Sequence, residues 1–145
     1  MSLEDAVEKQ IHYLKQLQLL LETELHLISS RDAESLMNLL NEKQTTLANI
    51  QSQDELIASL YGQLGDPETA KTKLSDRANQ LFDDAKELLE QCKFRTSVNQ
   101  KAVEQGQLKL EHLRHLLLET RAKESLTYDR SGKPSGGGLG KGVSA

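Results

Sequence analysis

The chain has 145 residues, a net charge of −4 from 18 Lys+Arg and 22 Asp+Glu, and only three Tyr, two Phe and no Trp. So few aromatic residues leave little bulk to wall a deep small-molecule pocket, which disfavours a conventional enzyme. No segment carries the concentrated basic face that would displace counterions from a phosphate backbone, which disfavours nucleic-acid binding.

The 27 leucines and 12 glutamines, set against two prolines, favour helix over strand and fit one slender domain. The longest apolar run is three residues, far short of the ~20 that span a bilayer, and the start MSLEDAVEKQ is acidic where a secretion signal is basic. A cytoplasmic protein is expected. The single Cys92 agrees, since it has no partner for an internal disulfide or a structural zinc site.

The first helix is expected over about residues 3–29. Leu3, Val7, Ile11, Leu14, Leu21, Leu25 and Ile28 recur at helical spacing on one face, and Leu17, Leu19 and Leu20 widen that stripe beyond a two-stranded seam. Ser29-Ser30-Arg31-Asp32 offers capping side chains for a new helix start, with Glu34 in the first turn where negative charge suits the dipole. A break is the preferred reading there, and a kinked continuous helix the alternative.

A second helix over 32–62 carries the stripe Leu36, Leu39, Leu40, Leu47, Ile50, Ile57, Leu60 and Leu64, but Lys43 and Asp54 interrupt it. Gly62, Gly65 and Asp66-Pro67 then read as a helix end, an N-cap and a first helical residue.

The third helix is expected over 67–123. Leu74, Ala78, Leu81, Ala85, Leu88 and Cys92 alternate at four and three residues, as in a coiled-coil strand. The pattern thins between Arg95 and Gln107 and includes Gly106, which costs about 1 kcal/mol relative to Ala inside a helix. Leu110, Leu113 and Leu117 resume it after one extra four-residue step, the sequence form of a stutter. At ~1.5 Å per residue this helix would be about 85 Å long, against about 40–45 Å for each of the others, so it should overhang them.

The fold class expected is therefore all-α: an elongated three-helix antiparallel coiled-coil-like bundle with a long third helix. A single helical domain spans 1–126. Six of the nine glycines lie between Gly132 and Gly142, and residues 127–145 read as a flexible, disordered C-terminal tail with no phosphate-loop context.

No catalytic constellation emerges. His112 and His115 lie one turn apart near Glu111 and Glu119, short of the three or four converging ligands a metal needs, so neither a metal nor another cofactor is expected. Cys92 sits at an apolar stripe position, where cysteine behaves as a small buried hydrophobe. Binding remains, and two leucine surfaces compete for it. The crowded Leu17 to Leu21 patch reads as core, because a bundle must bury its broadest face. Leu108, Leu110, Leu113, Leu116, Leu117 and Leu118 read as a partner surface, because the weak stretch before them should let the end detach.

Several strings add to this: Leu14 to Leu21, Glu24, the junction Ile28-Ser29-Ser30-Arg31-Asp32-Ala33-Glu34-Ser35-Leu36, Leu39-Leu40, Lys43, and the ending Leu126-Thr127-Tyr128-Asp129-Arg130-Ser131-Gly132-Lys133. In order and total length the chain resembles the FlgN-type flagellar export chaperones over most of its length. The resemblance implies a cytosolic chaperone of the flagellar type III export system that binds the C-terminal helical segments of hook-associated proteins and keeps them from assembling prematurely. It places the client on the C-terminal amphipathic helix, here Leu108, Leu110, Leu113, Leu116, Leu117 and Leu118. It also sets Tyr128 where the family docks on the cytoplasmic domain of the export gate, and it leaves homodimer formation open. The competing reading is a structural coiled-coil protein, in which the same leucines build a permanent homo-oligomer.

Overall fold

The chain enters its first helix at Ser2, whose hydroxyl accepts the Asp5 N–H at 3.1 Å, and α1 runs Leu3–Ser30. It ends at the expected junction by a left-handed turn. Arg31 takes φ 59°, and the N–H groups of Arg31 and Asp32 return to the carbonyls of Ile28 and Leu27 at 3.2 and 3.1 Å. This is the usual chemistry of a helix C-terminus, carried out by an arginine where glycine is the common choice. Asp32 then accepts the Ser35 N–H at 3.1 Å and starts α2, Ala33–Gly62, so the junction is a break and not a kink.

The turn after α2 places Gly65 at φ 118°, a conformation that favours glycine. Asp66 accepts the Thr69 N–H at 2.8 Å with Pro67 at the first helical position, as the sequence suggests. The helix that begins there does not continue to residue 123. It stops as α3, Pro67–Lys73, and Leu74 is extended at φ −72°, ψ 136°.

The reason lies in Ser75. Its hydroxyl accepts the Ala78 N–H at 3.0 Å and donates to Glu4 of α1 at 2.6 Å, so it caps a new helix and ties its start to α1. Arg77 reinforces this by pairing with Glu8 and, at 3.8 Å, with Glu4. That helix, α4, runs Asp76–Arg130, so the described chain holds four helices where three were expected. The computed structural model describes the backbone of residues 1–130 and side chains as far as Lys123; the expected tail from 131 on lies outside the described residues. Helix also covers 127–130, residues expected in the tail, because no glycine or proline intervenes before Gly132.

The chain divides into two units, Met1–Ala102 and Val103–Ala145. In the first, hydrogen bonds give the helix directions. Gln53 reaches Ala6, Gln10 reaches Ile50 and Lys43 reaches Glu24, so α2 runs antiparallel to α1. Ser75 reaches Glu4, Cys92 reaches Leu14 and Asn99 reaches Leu21, so the first part of α4 runs parallel to α1.

Two apolar clusters hold this unit. Ala6, Val7 and Ile57 pack with Leu3, Ile11, Leu60, Leu81, Phe82 and Ala85; Leu17, Leu21 and Cys92 pack with Ile50. The Leu17 to Leu21 patch is therefore divided. Leu17 and Leu21 are buried, Leu20 is half-buried, and Leu19 points outward. The second unit, in its described part, is the remainder of α4.

Candidate partner-binding surfaces

Within the second unit, α4 is amphipathic in a way that sorts the six candidate leucines. At 3.6 residues per turn, Leu110, Leu113 and Leu117 fall within about 60° of one another and make one face. Leu116 and Leu118 lie on its two flanks. Leu108 does not join them: two residues from Leu110, it lies about 160° away, on the side of His112, His115 and Glu119. The sequence grouped the six; helix geometry brings together three, adds two at the edges and separates one.

Leu108, Leu110, Leu113, Leu116 and Leu117 are all exposed, Leu113 at 53% and Leu108 at 64%, while Leu118 is half-buried. An exposed run of this kind is the sort of surface that another helix covers. Arg114 and Arg121 border the Leu110–Leu113–Leu117 face, whereas Glu111 and Glu119 lie farther round the helix. His115 pairs with Glu119 at 3.2 Å along the opposite side. Tyr128 falls outside the residues whose side chains are described.

The first unit holds a feature that the sequence reading missed. A groove of about 450 Å³ opens between α2 and α4, floored by Val7, Gln10 and Leu14 of α1 and flanked by Leu47, Ile50, Phe82 and Leu89. Leu47 and Leu89 are exposed along it. Gln10 donates from Nε2 to the Ile50 carbonyl at 3.0 Å, but its Oε1 is the one buried side-chain polar atom without a hydrogen-bond partner among the described residues.

Polar side chains recur at core positions of this unit. Gln53 donates to the Ala6 carbonyl at 2.7 Å, and Asn99 donates to the Leu21 carbonyl at 2.9 Å and to Glu24 at 2.7 Å. Lys43 meets the same Glu24 carboxylate at 3.0 Å. Lys43, read from the sequence as an interruption, is thus one corner of a Glu24–Lys43–Asn99 layer joining all three long helices. The available signal was the regular 3-4 spacing that puts Gln10 and Glu24 in register with Leu3, Val7, Leu14, Leu17, Leu21 and Ile28.

The acids and the thiol behave as structure. Hydrogen bonds from Ser35 hold the Asp32 carboxyl below its ordinary pKa, and those from Thr69 do the same for Asp66, as expected of helix caps. Burial pushes the Cys92 thiol up despite nearby Arg95, which makes it a poor nucleophile. Among the described residues no group of three or more His, Cys, Asp and Glu is placed to hold a metal ion, and no helix is long and apolar enough to cross a membrane.

A family model described as FlgN protein matches residues 1–136. Neither a curated protein nor a solved structure matches the chain.

Proposed function

Because the chain belongs to the FlgN family, we propose that it is a flagellar export chaperone that works in the cytosol. It binds hook-associated proteins, prevents their premature assembly and delivers them to the type III export apparatus. The observation that carries this reading is the exposed Leu110–Leu113–Leu117 face, flanked by Leu116 and Leu118 on the part of α4 that belongs to the second unit. Such a face suits an amphipathic client helix, which would bury its own apolar stripe against these leucines. Leu108, on the other side of the helix, contributes at most an edge contact. Tyr128 is the proposed docking residue for the cytoplasmic domain of the export gate.

The role calls for moderate affinity, since the client must be released, and apolar burial on one helix face meets that need after the cost of ordering the client is subtracted. No cofactor takes part in this reading. The test is a pull-down from lysate of the flagellated source cell with the full chain and with a Leu113→Ser/Leu117→Ser variant, bound proteins being identified by mass. Recovery of hook-associated proteins is expected for the parent chain and lost in the variant, with circular dichroism nearly unchanged. Equal recovery by both would remove the assigned face. Recovery of the chain alone would favour the homo-oligomeric coiled coil.

A further inference from the structure

The charges beside the leucine face of α4 specify the helix that covers it. Within the second unit the seam runs Val103, Gly106, Leu110, Leu113, Leu117 and Thr120 in alternating steps of three and four, and the Thr120 hydroxyl donates to the Leu116 carbonyl at 3.0 Å. This is the spacing of the a and d positions of a two-stranded coiled coil, so the face suits one partner helix laid along it.

The residues beside such a seam meet the partner's flanks. Here they are Gln107, Arg114 and Arg121 on one side and Lys109, Leu116 and Lys123 on the other. Lys109, Arg114 and Arg121 lie within about 75° of the centre of the face, whereas Glu104, Glu111 and Glu119 lie more than about 120° from it. Every charged residue bordering the seam over 103–123 is therefore basic. Lys109, Arg114 and Arg121 are exposed and make no ion pair among the described residues, while Glu119 is engaged by His115 on the far side. The sign is opposite to that of the chain as a whole, which carries −4, so the basic border is a local feature and not a consequence of composition.

This border decides between partners. The same face on a second copy brings the same border, so in either relative direction base meets base across the seam, and like charges there disfavour pairing. A helix with Asp or Glu beside its own apolar stripe instead meets Arg114 and Arg121. These stand one heptad apart, about 10.5 Å along the axis, and a guanidinium can hold a carboxylate through two parallel N–H···O bonds.

We propose that the 103–123 face selects an amphipathic helix whose apolar stripe is bordered by acidic residues at heptad spacing, with Arg114 and Arg121 as the main selecting side chains and Lys109 as a third. The inference rests on the reading of this face as the partner site and deepens it by naming the charge pattern of the partner. It does not depend on which protein carries that helix.

The experiment measures binding of two designed three-heptad peptides to the full chain by fluorescence anisotropy, each labelled peptide being kept too dilute to pair with itself. Both carry leucine at every a and d position; one has glutamate at every e and g position and the other lysine. The glutamate peptide should bind the parent at least roughly tenfold more tightly than the lysine peptide, against the net charge of the chain, and added salt should narrow the gap. In Arg114→Glu/Arg121→Glu the gap should close, and in Leu113→Ser/Leu117→Ser both peptides should be lost. All four substituted positions are exposed, and circular dichroism checks that helicity is retained.

Equal binding of the two peptides to the parent, or binding of neither, overturns the proposal. So does a preference that survives the arginine changes, or binding that survives the leucine changes. The pull-down of hook-associated proteins tells this failure from that of the chaperone reading. Their capture by the parent without a peptide preference removes the charge rule alone, whereas a peptide preference without their capture supports the charge rule and removes the assigned client.

Discussion

Gln10 shows what a single buried side chain does in this bundle. Its Nε2 finds the Ile50 carbonyl, but the enclosed Oε1 has no donor, and a buried unpaired acceptor costs about 1–3 kcal/mol. The bond it does make contributes about 0.5–1.5 kcal/mol, and Ile50 keeps its own helical hydrogen bond without it. Gln10→Met, which preserves length and removes both polar atoms, should therefore stabilise the protein by about 1 kcal/mol, measured as a rise in the urea midpoint at unchanged slope. A lowered midpoint would mean that the amide is fully satisfied in solution. Gln53 and Asn99 should not share this behaviour, since among the described residues neither leaves a buried polar atom unpaired and Asn99 also holds Glu24. These side chains were hard to read from sequence because glutamine and lysine at stripe positions look like gaps in a core. Three dimensions show them bonding across helices, where polar partners favour one register over its neighbours more than they add stability.

At the scale of elements, helix starts were legible where a capping aspartate stood before proline or at the end of a run of polar residues. Asp66-Pro67 starts α3 as expected, and Asp32 starts α2. The split at Leu74-Ser75 was not legible, because the four-three alternation of Leu74, Ala78 and Leu81 runs straight through it. What breaks the helix is a tertiary tie: Ser75 bonds Glu4 across to α1 while it caps α4. Ser75→Ala should cost about 1 kcal/mol of stability, the ordinary price of a lost N-cap, and should speed amide exchange in the first turn of α4 with little effect on α2. Unchanged exchange at Ala78 would show that the start of α4 is set by Arg77 and its two glutamates instead. Leu108, by contrast, is separable by spacing alone, since two residues from Leu110 at 3.6 residues per turn put it about 160° away.

For the whole molecule, the division of labour between the two units follows from where core-forming residues lie in the chain. Up to Asn99, α4 supplies Ala78, Cys92 and Asn99 to buried positions, with Leu81, Phe82 and Ala85 half-buried beside them. From Val103 to Lys123 no residue is buried. Such a helix is held mainly by its own backbone bonds and by side-chain pairs such as His115–Glu119, each worth only a few tenths of a kcal/mol when exposed. Sequence periodicity showed the thinning after Arg95 but not its structural meaning, since Asn99 extends the packed seam farther than its polarity suggests. Amide exchange in the described part of the second unit should therefore be faster than in α1 and α2 by orders of magnitude, and should slow when a client covers the leucines. Gly106 offers a way to separate intrinsic helix stability from that covering. A Cβ built there meets nothing within 4 Å, so Gly106→Ala should add helix propensity of about 1 kcal/mol without a clash. The expected outcome is slower exchange around residue 106 in the free protein and unchanged exchange in α1 and α2. Exchange that stays fast at 106 would show that opening there is governed by missing tertiary cover, and not by the glycine.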